Sequence, residues 1–538
     1  MLCNEAPNTR IDPLPLRVYA PSAPLDLSGA LFFGRGRLAR LFSLLAIIAA
    51  LTICAARSAS ADCAADKPPS DARESPAPGQ DKHLPPDVVR AQRLSLPQGC
   101  LEFKSVAGSI RLVDPQGDAR AEVAYVAYVL DGVRPAERPV VFAINGGPGA
   151  ASVWLQLGNI GPWRIPMNGL APSSPPTLVD NADTWLDFAD LVFLDPPGTG
   201  YSRPRAAADA EKADLWSVDG DIRTLAETIR RWLADNGRLG SRKFIVGESY
   251  GGFRAPKIAE TLATEQGVGV NGVILISPVL DFGAFTEGLG NPFPYLARLP
   301  SYAAVAREAK GPVTRADLAD VEAYAKGEYL SDWLAGPRDP VAVERKVARV
   351  AELTGLPPDV VRRYGGDLDE TDYLRERGRL EGRKLAFYDA TISAGATAPD
   401  WPDALDPVLP GFEPALTSAM VDLYRTRLGW RVDDAYETLS STVSRNWRWG
   451  RGLNRPEALG DLSQMLALDP NYRVLVAHGL TDVQAPYFAT VLDLARLPPF
   501  AAPDRLTLDV YPGGHMFYTR DDSRKAFREE ARRMIEKP

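Results

Sequence analysis

Short apolar runs, each ended by glycine or proline, recur along the chain. They span residues 121–130, 139–144, 190–194, 243–246, 272–276, 472–477 and 505–511. Continuous apolar runs of this length are typical of strands that are buried on both faces of a parallel sheet. The runs therefore predict a sheet whose strands are distributed from one end of the chain to the other.

Between these runs the apolar positions follow a helical period. One face of the segment 218–235 carries Ile222, Leu225, Ile229 and Trp232. This spacing predicts an amphipathic helix, and a second helix is expected from just after Ser249 to about Thr264. The alternation of strands and helices predicts a mostly parallel sheet with helices on both of its faces.

The alternation is interrupted over residues 286–445, where helical patterns are frequent and strand signals are few. We interpret this block as a helical cap insertion over the active site. It divides the predicted core into a first part, residues 96–285, and a second part, residues 446–538.

The N-terminal residues 1–61 are interpreted as an extension and a signal peptide. Three arginines precede an apolar run at 41–54, and Ala59-Ser60-Ala61 supplies the small residues of a cleavage site. The run is shorter than the ~20 residues of a membrane helix, so no stable span is expected after cleavage, although an uncleaved anchor is the alternative. We expect an exported protein, periplasmic or secreted. Residues 62–95, rich in proline and charge at their start, are interpreted as a disordered linker.

Composition excludes some partners and cofactors. The net charge of -8 argues against a nucleic-acid binder, which would present a basic face. Cys63 and Cys100 would remain in an exported chain, where pairing and two free thiols are both open. The sequence has no CxxC and no His/Cys cluster, so neither a metal nor a cofactor is expected.

The pentapeptide Gly247-Glu248-Ser249-Tyr250-Gly251 has the pattern G-x-S-x-G and lies between a predicted strand and a predicted helix. That context is the nucleophile elbow of the α/β-hydrolase fold, in which a tight turn holds the serine hydroxyl above the sheet. The sequence therefore predicts this fold and Ser249 as its nucleophile.

A serine needs a base to take its proton, and the chain has only 3 histidines. In this fold the acid and then the histidine follow the serine. His83 precedes Ser249 and His478 ends a strand, whereas His515 leaves room for an acid before it, so His515 is the predicted base. Asp482, after the penultimate strand, is the predicted acid, and its competitor Asp509 lies within the next strand.

The oxyanion of acyl transfer needs backbone N–H donors. In the α/β-hydrolase fold these come from the residue after the serine and from an early glycine-rich loop. Tyr250 and Gly147 occupy those positions and are the predicted oxyanion hole.

Taken together, the motifs resemble the serine carboxypeptidase family, peptidase family S10, in the form of its bacterial members. The motifs are NGGPG at 145–149, LDPPGTGYS at 194–202, GESYGG at 247–252, NPFPY at 291–295, LPSY at 299–302 and GHM at 514–516. The resemblance implies removal of C-terminal residues from peptides or proteins through an acyl-enzyme, best at acidic pH. It also implies that Asn145, Gly146 and Glu248 bind the terminal carboxylate of the substrate, with Glu248 protonated at low pH so that it can donate.

Three positions differ from the pattern of many members. Ala143 stands where a tryptophan is usual, Asn159 where a second recognition glutamate is usual, and Ala150 where a cysteine is usual. The sequence therefore leaves an esterase or acyltransferase on the same triad open. A catalytically inactive binding protein is the alternative from another class.

Overall fold

The computed structural model describes residues 83–97, 99–167, 176–205, 213–286, 290–395, 406, 408–450, 455–499 and 503–537. The signal peptide expected within residues 1–61, the first part of the expected linker and Cys63 lie outside these residues. Cys100 takes part in a disulfide bond. Among the described residues, no helix is both long and apolar enough to cross a membrane.

The described strands are numbered in chain order. They are β1 (Val88–Leu96), β2 (Gly99–Val113), β3 (Ala119–Leu130), β4 (Val140–Ile144), β5 (Trp163–Arg164), β6 (Val179–Asp180), β7 (Asp190–Leu194), β8 (Arg203–Pro204), β9 (Lys243–Glu248), β10 (Gly272–Ile276), β11 (Arg383–Leu385), β12 (Ser393–Gly395), β13 (Arg473–Gly479) and β14 (Leu506–Tyr511).

One sheet contains most of these strands, in the order β1-β2-β3-β7-β4-β9-β10-β13-β14, with β8 paired to β3. The pairs from β1 to β7 are antiparallel, and those from β7 to β14 are parallel. The seven apolar runs of the sequence all correspond to strands of this sheet. Burial on both faces explains the continuous apolar segments of the inner strands, whereas the edge strand β14 is only partly buried.

β1 overlaps residues 62–95, for which the sequence predicts a disordered linker, and the structure differs from that prediction. Val88–Leu96 pairs along its whole length with β2. Both strands alternate between buried and exposed positions, as expected for the solvated edge of an antiparallel sheet. A search for continuous apolar runs therefore misses them.

The α-helices cover the sheet on both faces and fill the insertion. Their ranges are Val153–Leu155, Val218–Asp235, Tyr250–Thr264, Phe293–Leu296, Leu299–Glu308, Ala319–Tyr324, Leu330–Ala335, Pro340–Thr354, Pro358–Arg363, Glu370–Glu381, Leu409–Leu423, Ser441–Asn446, Leu459–Leu468, Tyr487–Leu494 and Asp521–Glu536. Short π-helical segments continue three of them, at Gln156–Ile160, Ala325–Tyr329 and Tyr424–Leu428.

Each face of the sheet has its own apolar core. One core packs Leu225, Ile229 and Ile258 of the two predicted helices against the strands. The other core packs Phe412 of the helix Leu409–Leu423 and Phe527 of the helix Asp521–Glu536 against the opposite face. The predicted α/β architecture, with helices on both faces of a mostly parallel sheet, is confirmed.

The described residues between β10 and β13 are mainly helical, and we refer to this block as the cap. It has an apolar core of its own, which includes Tyr302, Val350 and Tyr373. Besides helices it contains the short antiparallel hairpin β11–β12, a feature that the sequence analysis did not predict. Through this hairpin the cap reaches the loops that follow β13 and β14.

Candidate active site

Ser249 lies at the turn between β9 and the helix Tyr250–Thr264. Its backbone has φ 59° and ψ -122°, a left-handed conformation that is costly for a residue with a side chain. A Cβ atom on Gly247 would lie 2.0 Å from the carbonyl oxygen of Gly251, so only glycine fits there. These features are those of a nucleophile elbow, as the pentapeptide predicts.

Asp482 and His515 come together from the loops that follow β13 and β14. Asp482 Oδ2 lies 2.7 Å from His515 Nδ1. The other carboxylate oxygen accepts hydrogen bonds of 2.9 Å from the backbone N–H groups of Gln484 and Ala485. A carboxylate in this position holds the proton of a neutral imidazole on Nδ1 and leaves Nε2 free to accept a proton.

Electrostatic interactions raise the pKa of His515. Burial by itself lowers the pKa of the imidazole, but the charge of Asp482 and its hydrogen bond outweigh burial, so that the net shift is upward. An opposite charge at hydrogen-bond distance stabilises the imidazolium that forms when the base takes a proton.

The structure does not join Ser249 to His515. Within the described part of the chain, His515 Nε2 is buried without a hydrogen-bond partner. The two residues are nevertheless anchored to the same strand end: the N–H of Ser249 donates to the carbonyl of Ile276 at 2.8 Å, and Ser277 Oγ donates to the carbonyl of His515 at 2.8 Å. Nucleophile–base hydrogen bonds often tighten only when substrate binds.

The glycine-rich loop lies directly against the elbow. A Cβ atom on Gly146 would be 2.6 Å from both the carbonyl oxygen of Glu248 and the backbone nitrogen of Tyr250. Gly147 has φ 99°, a conformation that favours glycine. Within the described residues, neither the N–H of Gly147 nor that of Tyr250 donates a hydrogen bond. Both donors are therefore available to a ligand.

Glu248 and Asn145 form a buried polar pair beside the elbow. Asn145 Nδ2 donates to Glu248 Oε2 at 3.0 Å, and the hydroxyl of Tyr518 donates to the same oxygen at 2.8 Å. The backbone N–H of Leu155 donates to Asn145 Oδ1, which fixes the orientation of the amide. Burial raises the pKa of Glu248 to about 6, although His515 and the two donors oppose the shift.

Two contributors to this pair are not among the predicted site residues. Tyr518 lies three positions after His515. It is 270 positions from Glu248 along the chain, so the sequence gives no sign of their contact. Arg254 donates to the carbonyl of Asn145 at 2.5 Å, and its guanidinium lies 4.7 Å from the centre of the Tyr250 ring. A charged residue on the buried face of the helix after the elbow is the sequence signal that could have identified Arg254.

The three positions that differ from the family pattern are all buried. Ala143 belongs to β4, and Ala150 is 6% exposed. Asn159 lies in the π-helical segment Gln156–Ile160, and both polar atoms of its side chain are buried without a hydrogen-bond partner in the described part of the chain. The described residues contain no group of three or more His, Cys, Asp or Glu side chains arranged to hold a metal ion.

Comparisons with known proteins agree with the motifs. Residues 98–288 match the family model for serine carboxypeptidases. Among curated relatives, serine carboxypeptidase-like 13 of Arabidopsis thaliana is 26% identical over 236 residues, which are 42% of this chain and 52% of the relative. Serine carboxypeptidase-like 15 of the same plant is 28% identical over 203 residues, or 37% and 42% of the two chains. The resemblance to the serine carboxypeptidase family is therefore confirmed.

The matched regions end well short of the relatives' full length: the chain spans about half of the curated relatives it matches. A solved structure aligns with a larger share of this chain. KEX1(DELTA)P, a prohormone-processing carboxypeptidase from Saccharomyces cerevisiae, aligns with 80% of this chain and 90% of its own, at 15% identity and a TM-score of 0.51. At this identity the likeness concerns the fold, which is an α/β-hydrolase fold.

Proposed function

We propose that this protein is a serine carboxypeptidase that releases C-terminal residues from peptides or proteins. The observation that carries the proposal is the buried pair of Asn145 and Glu248 beside the elbow of Ser249. A hydrolase of esters or amides needs a nucleophile, a base and an oxyanion hole. A buried acid next to the nucleophile is an additional feature that suits a substrate ending in a carboxylate.

In the proposed reaction Ser249 Oγ attacks the carbonyl carbon of the last peptide bond. His515 Nε2 takes the hydroxyl proton, while Asp482 holds the imidazole and stabilises its positive charge. The N–H groups of Gly147 and Tyr250 stabilise the oxyanion, and loss of one such donor costs about 3 kcal/mol in transition-state stabilisation. His515 then gives the proton to the leaving amine, and water hydrolyses the acyl-enzyme by the same steps.

Carboxylate recognition in this proposal depends on protonation of Glu248. Two carboxylates repel each other at close range unless a proton lies between them. Because burial raises the pKa of Glu248 to about 6, the group is protonated in mildly acidic solution and can donate to the substrate carboxylate. Asn145 and the backbone of Gly146 lie next to it as further donors. This supports a preference for free C-termini that is strongest at acidic pH.

The test compares substrates that share one blocked dipeptide and differ only at the end. The free acid, the C-terminal amide and a simple ester are assayed between pH 4 and pH 8. We expect the kcat/KM for the free acid to exceed that for the amide below pH about 6, with the preference falling above it because Glu248 ionises. Ser249→Ala, which should be inactive on all three, is the control for contaminating hydrolases.

The same assay separates the alternatives. Equal activity on the acid and the amide would contradict the role of Asn145, Gly146 and Glu248, and preference for the ester would favour an esterase or acyltransferase. Absence of turnover together with failure of a fluorophosphonate to label Ser249 would instead leave a binding protein.

Export is part of the proposal and is tested separately. A signal peptide within residues 1–61 would deliver the enzyme to the periplasm or the medium, where peptide C-termini are accessible. Fractionation of cells that express the full chain, with N-terminal sequencing of the mature protein, should find a new N-terminus close to Ala61. A cytoplasmic protein that keeps Met1 would contradict this part.

A further inference from the structure

A turn of the cap inserts between the two loops that carry Asp482 and His515. We call residues 386–392, which join β11 to β12, the cap turn; residues 480–485 are the acid loop and residues 512–516 the base loop. The cap turn is closed by the N–H of Ile392, which donates to the carbonyl of Asp389 at 2.8 Å. The side chain of Asp389, at its centre, is buried.

One oxygen of Asp389 holds the acid loop. Asp389 Oδ1 accepts a hydrogen bond of 2.7 Å from the hydroxyl of Thr481, a fully buried residue directly before Asp482. A second link lies alongside, because the N–H of Ala390 donates to the carbonyl of Thr481 at 3.3 Å. The cap turn is therefore bonded to the acid loop at the residue next to the acid.

The other oxygen of Asp389 holds the base loop. Asp389 Oδ2 accepts a hydrogen bond of 3.1 Å from the N–H of Gly514, the residue directly before His515. Here too a backbone link runs in parallel, from the N–H of His515 to the carbonyl of Tyr388. The Tyr388 ring and the imidazole form a T-shaped pair with 4.8 Å between ring centres.

The carboxylate has no freedom to turn away from either loop. Thr391 donates to Asp389 Oδ1 from its N–H and its hydroxyl, at 3.1 and 2.6 Å, and Arg520 pairs with Oδ2 at 3.4 Å. The approach on the base side is close: a Cβ atom on Gly514 would lie 2.1 Å from the carbonyl oxygen of Tyr388. Oδ1 is thus fixed by Thr391 of its own turn and by Thr481 next to the acid, whereas Oδ2 is fixed by Arg520 and by Gly514 next to the base.

We infer that Asp389 is a positioning residue that fixes the acid loop and the base loop relative to each other. The inference rests on the proposed function, since it concerns the geometry of the proposed triad. Within the described residues, the side chain of Asp389 has no hydrogen bond to Ser249 or to the imidazole, and it acts through Thr481 and Gly514. Without it, the two loops stay joined through backbone hydrogen bonds such as Thr481 N–H to the carbonyl of Gly513, but the Asp482–His515 distance is held less firmly. A displacement of 1 Å in a catalytic group lowers the rate by about a hundredfold.

The principal variant is Asp389→Asn, whose amide keeps one acceptor and places an NH₂ group against a donor from one loop. We expect kcat to fall roughly ten- to a hundredfold while KM changes by less than about threefold, because substrate contacts are untouched. The acid limb of the pH–rate profile should move to lower pH, because a looser contact with Asp482 raises the pKa of His515 less, while Glu248 and Asp406, the other carboxylates that raise it, are unchanged. A change only in the amount of folded protein would alter neither kcat per active site, nor KM, nor the pH–rate profile.

Thr481→Val removes the hydroxyl that donates to Asp389 and tests the same contact from the other side. If the two residues act as one unit, the double variant should lose no more than about threefold beyond Asp389→Asn. Should Asp389→Asn not fold, Thr481→Val must lower kcat by itself. These variants form a double-mutant cycle. The inference would be overturned if the losses in kcat of the two single variants multiplied in the double variant, or if kcat were unchanged in both single variants.

The matched control is Glu376→Gln. Glu376 is a buried carboxylate of the same cap, and its partners Arg363, Tyr364 and Arg379 all belong to the cap. Its kinetic constants per active site should equal those of the wild type even if stability falls. Fluorophosphonate labelling counts the active sites in each variant. Wild type that is not labelled at Ser249 would defeat the proposed function itself, whereas labelled wild type with an unaffected Asp389→Asn defeats only the role of Asp389.

Discussion

His515 and Asp482 share a hydrogen bond of 2.7 Å between Nδ1 and Oδ2, and their side chains are 1% and 0% exposed. The pair follows from the topology, because β13 and β14 are neighbouring parallel strands and Gly479 pairs with Tyr511 in their register. Loops that leave neighbouring parallel strands emerge at the same edge of the sheet, so two side chains 33 positions apart meet there.

Replacement of Asp482 by asparagine should lower kcat by about 10⁴-fold with little change in KM, because the amide stabilises the wrong tautomer of His515. Steady-state kinetics on the free-acid substrate measures the effect. The matched control is Asp509→Asn, at the position that competed for the role of the acid. Asp509 lies in the edge strand β14, and this variant should keep full activity; comparable losses in the two variants would contradict the assignment.

Replacement of Ser249 separates backbone strain from chemistry. Ser249→Ala and Ser249→Gly should both be inactive, but the glycine variant should be the more stable by about 1 kcal/mol, since relief of the left-handed strain exceeds the entropy that glycine adds to the unfolded chain.

Urea unfolding of both inactive variants gives the difference. Ala263→Gly, in the regular helix after the elbow, is the control and should destabilise by about 0.5–1 kcal/mol. Equal stabilities of the two Ser249 variants would show that the turn carries no strain.

The stability of the protein should depend on pH through Glu248. Its pKa is raised from 4.5 to about 6 in the folded state, so the folded state binds the proton more tightly than the unfolded chain. The stabilisation is full below pH about 4.5 and is lost as the pH rises through about 6, which amounts to about 2 kcal/mol.

Glu248→Gln removes this dependence, because the amide does not titrate. We measure the free energy of unfolding of both proteins by denaturant at pH 4 and at pH 8. The value for the variant minus the value for the wild type should rise by about 2 kcal/mol from pH 4 to pH 8. The control is Glu102→Gln, at an exposed position, for which the same stability difference from the wild type should change by no more than about 0.5 kcal/mol over this pH range. A parallel pair of pH curves for wild type and Glu248→Gln would be the contrary result.

Arg254 and Asp221 form an ion pair of 2.7 Å in which both side chains are 0% exposed. Arg254→Met leaves the carboxyl group of Asp221 buried without its partner, which should cost about 3–5 kcal/mol in the free energy of unfolding. It also removes the donor to the carbonyl of Asn145, so discrimination between free acid and amide should weaken.

Urea unfolding measures the stability change, and the double variant Asp221→Asn with Arg254→Met should recover part of it. Arg223→Met, which breaks an exposed pair with Asp214, should cost no more than about 1 kcal/mol. Equal losses of stability in Arg254→Met and Arg223→Met would show that the buried ion pair does not stabilise the glycine-rich loop that contains Asn145.

The elements that the sequence predicts well are those with a strong local signal. The segment 218–235 has its apolar side chains on one face and forms the helix Val218–Asp235. The strand, turn and helix around Ser249 follow from the spacing of glycines within a few residues. β1 and β2 were missed because half of their side chains face solvent, and the hairpin β11–β12 because its strands are only three residues long.

By itself, the sequence determined the sheet strands that are buried on both faces, the elbow at Ser249 and the order in which acid and base follow it. Each of these depends on neighbours along the chain. Only the tertiary structure decided that Tyr518 contacts Glu248 and that Asp389 lies between two loops. Tyr518 reaches Glu248 from 270 positions away, and Asp389 reaches Gly514 from 125. Contacts of this kind depend on how separate elements pack, and no local pattern of residue types encodes them.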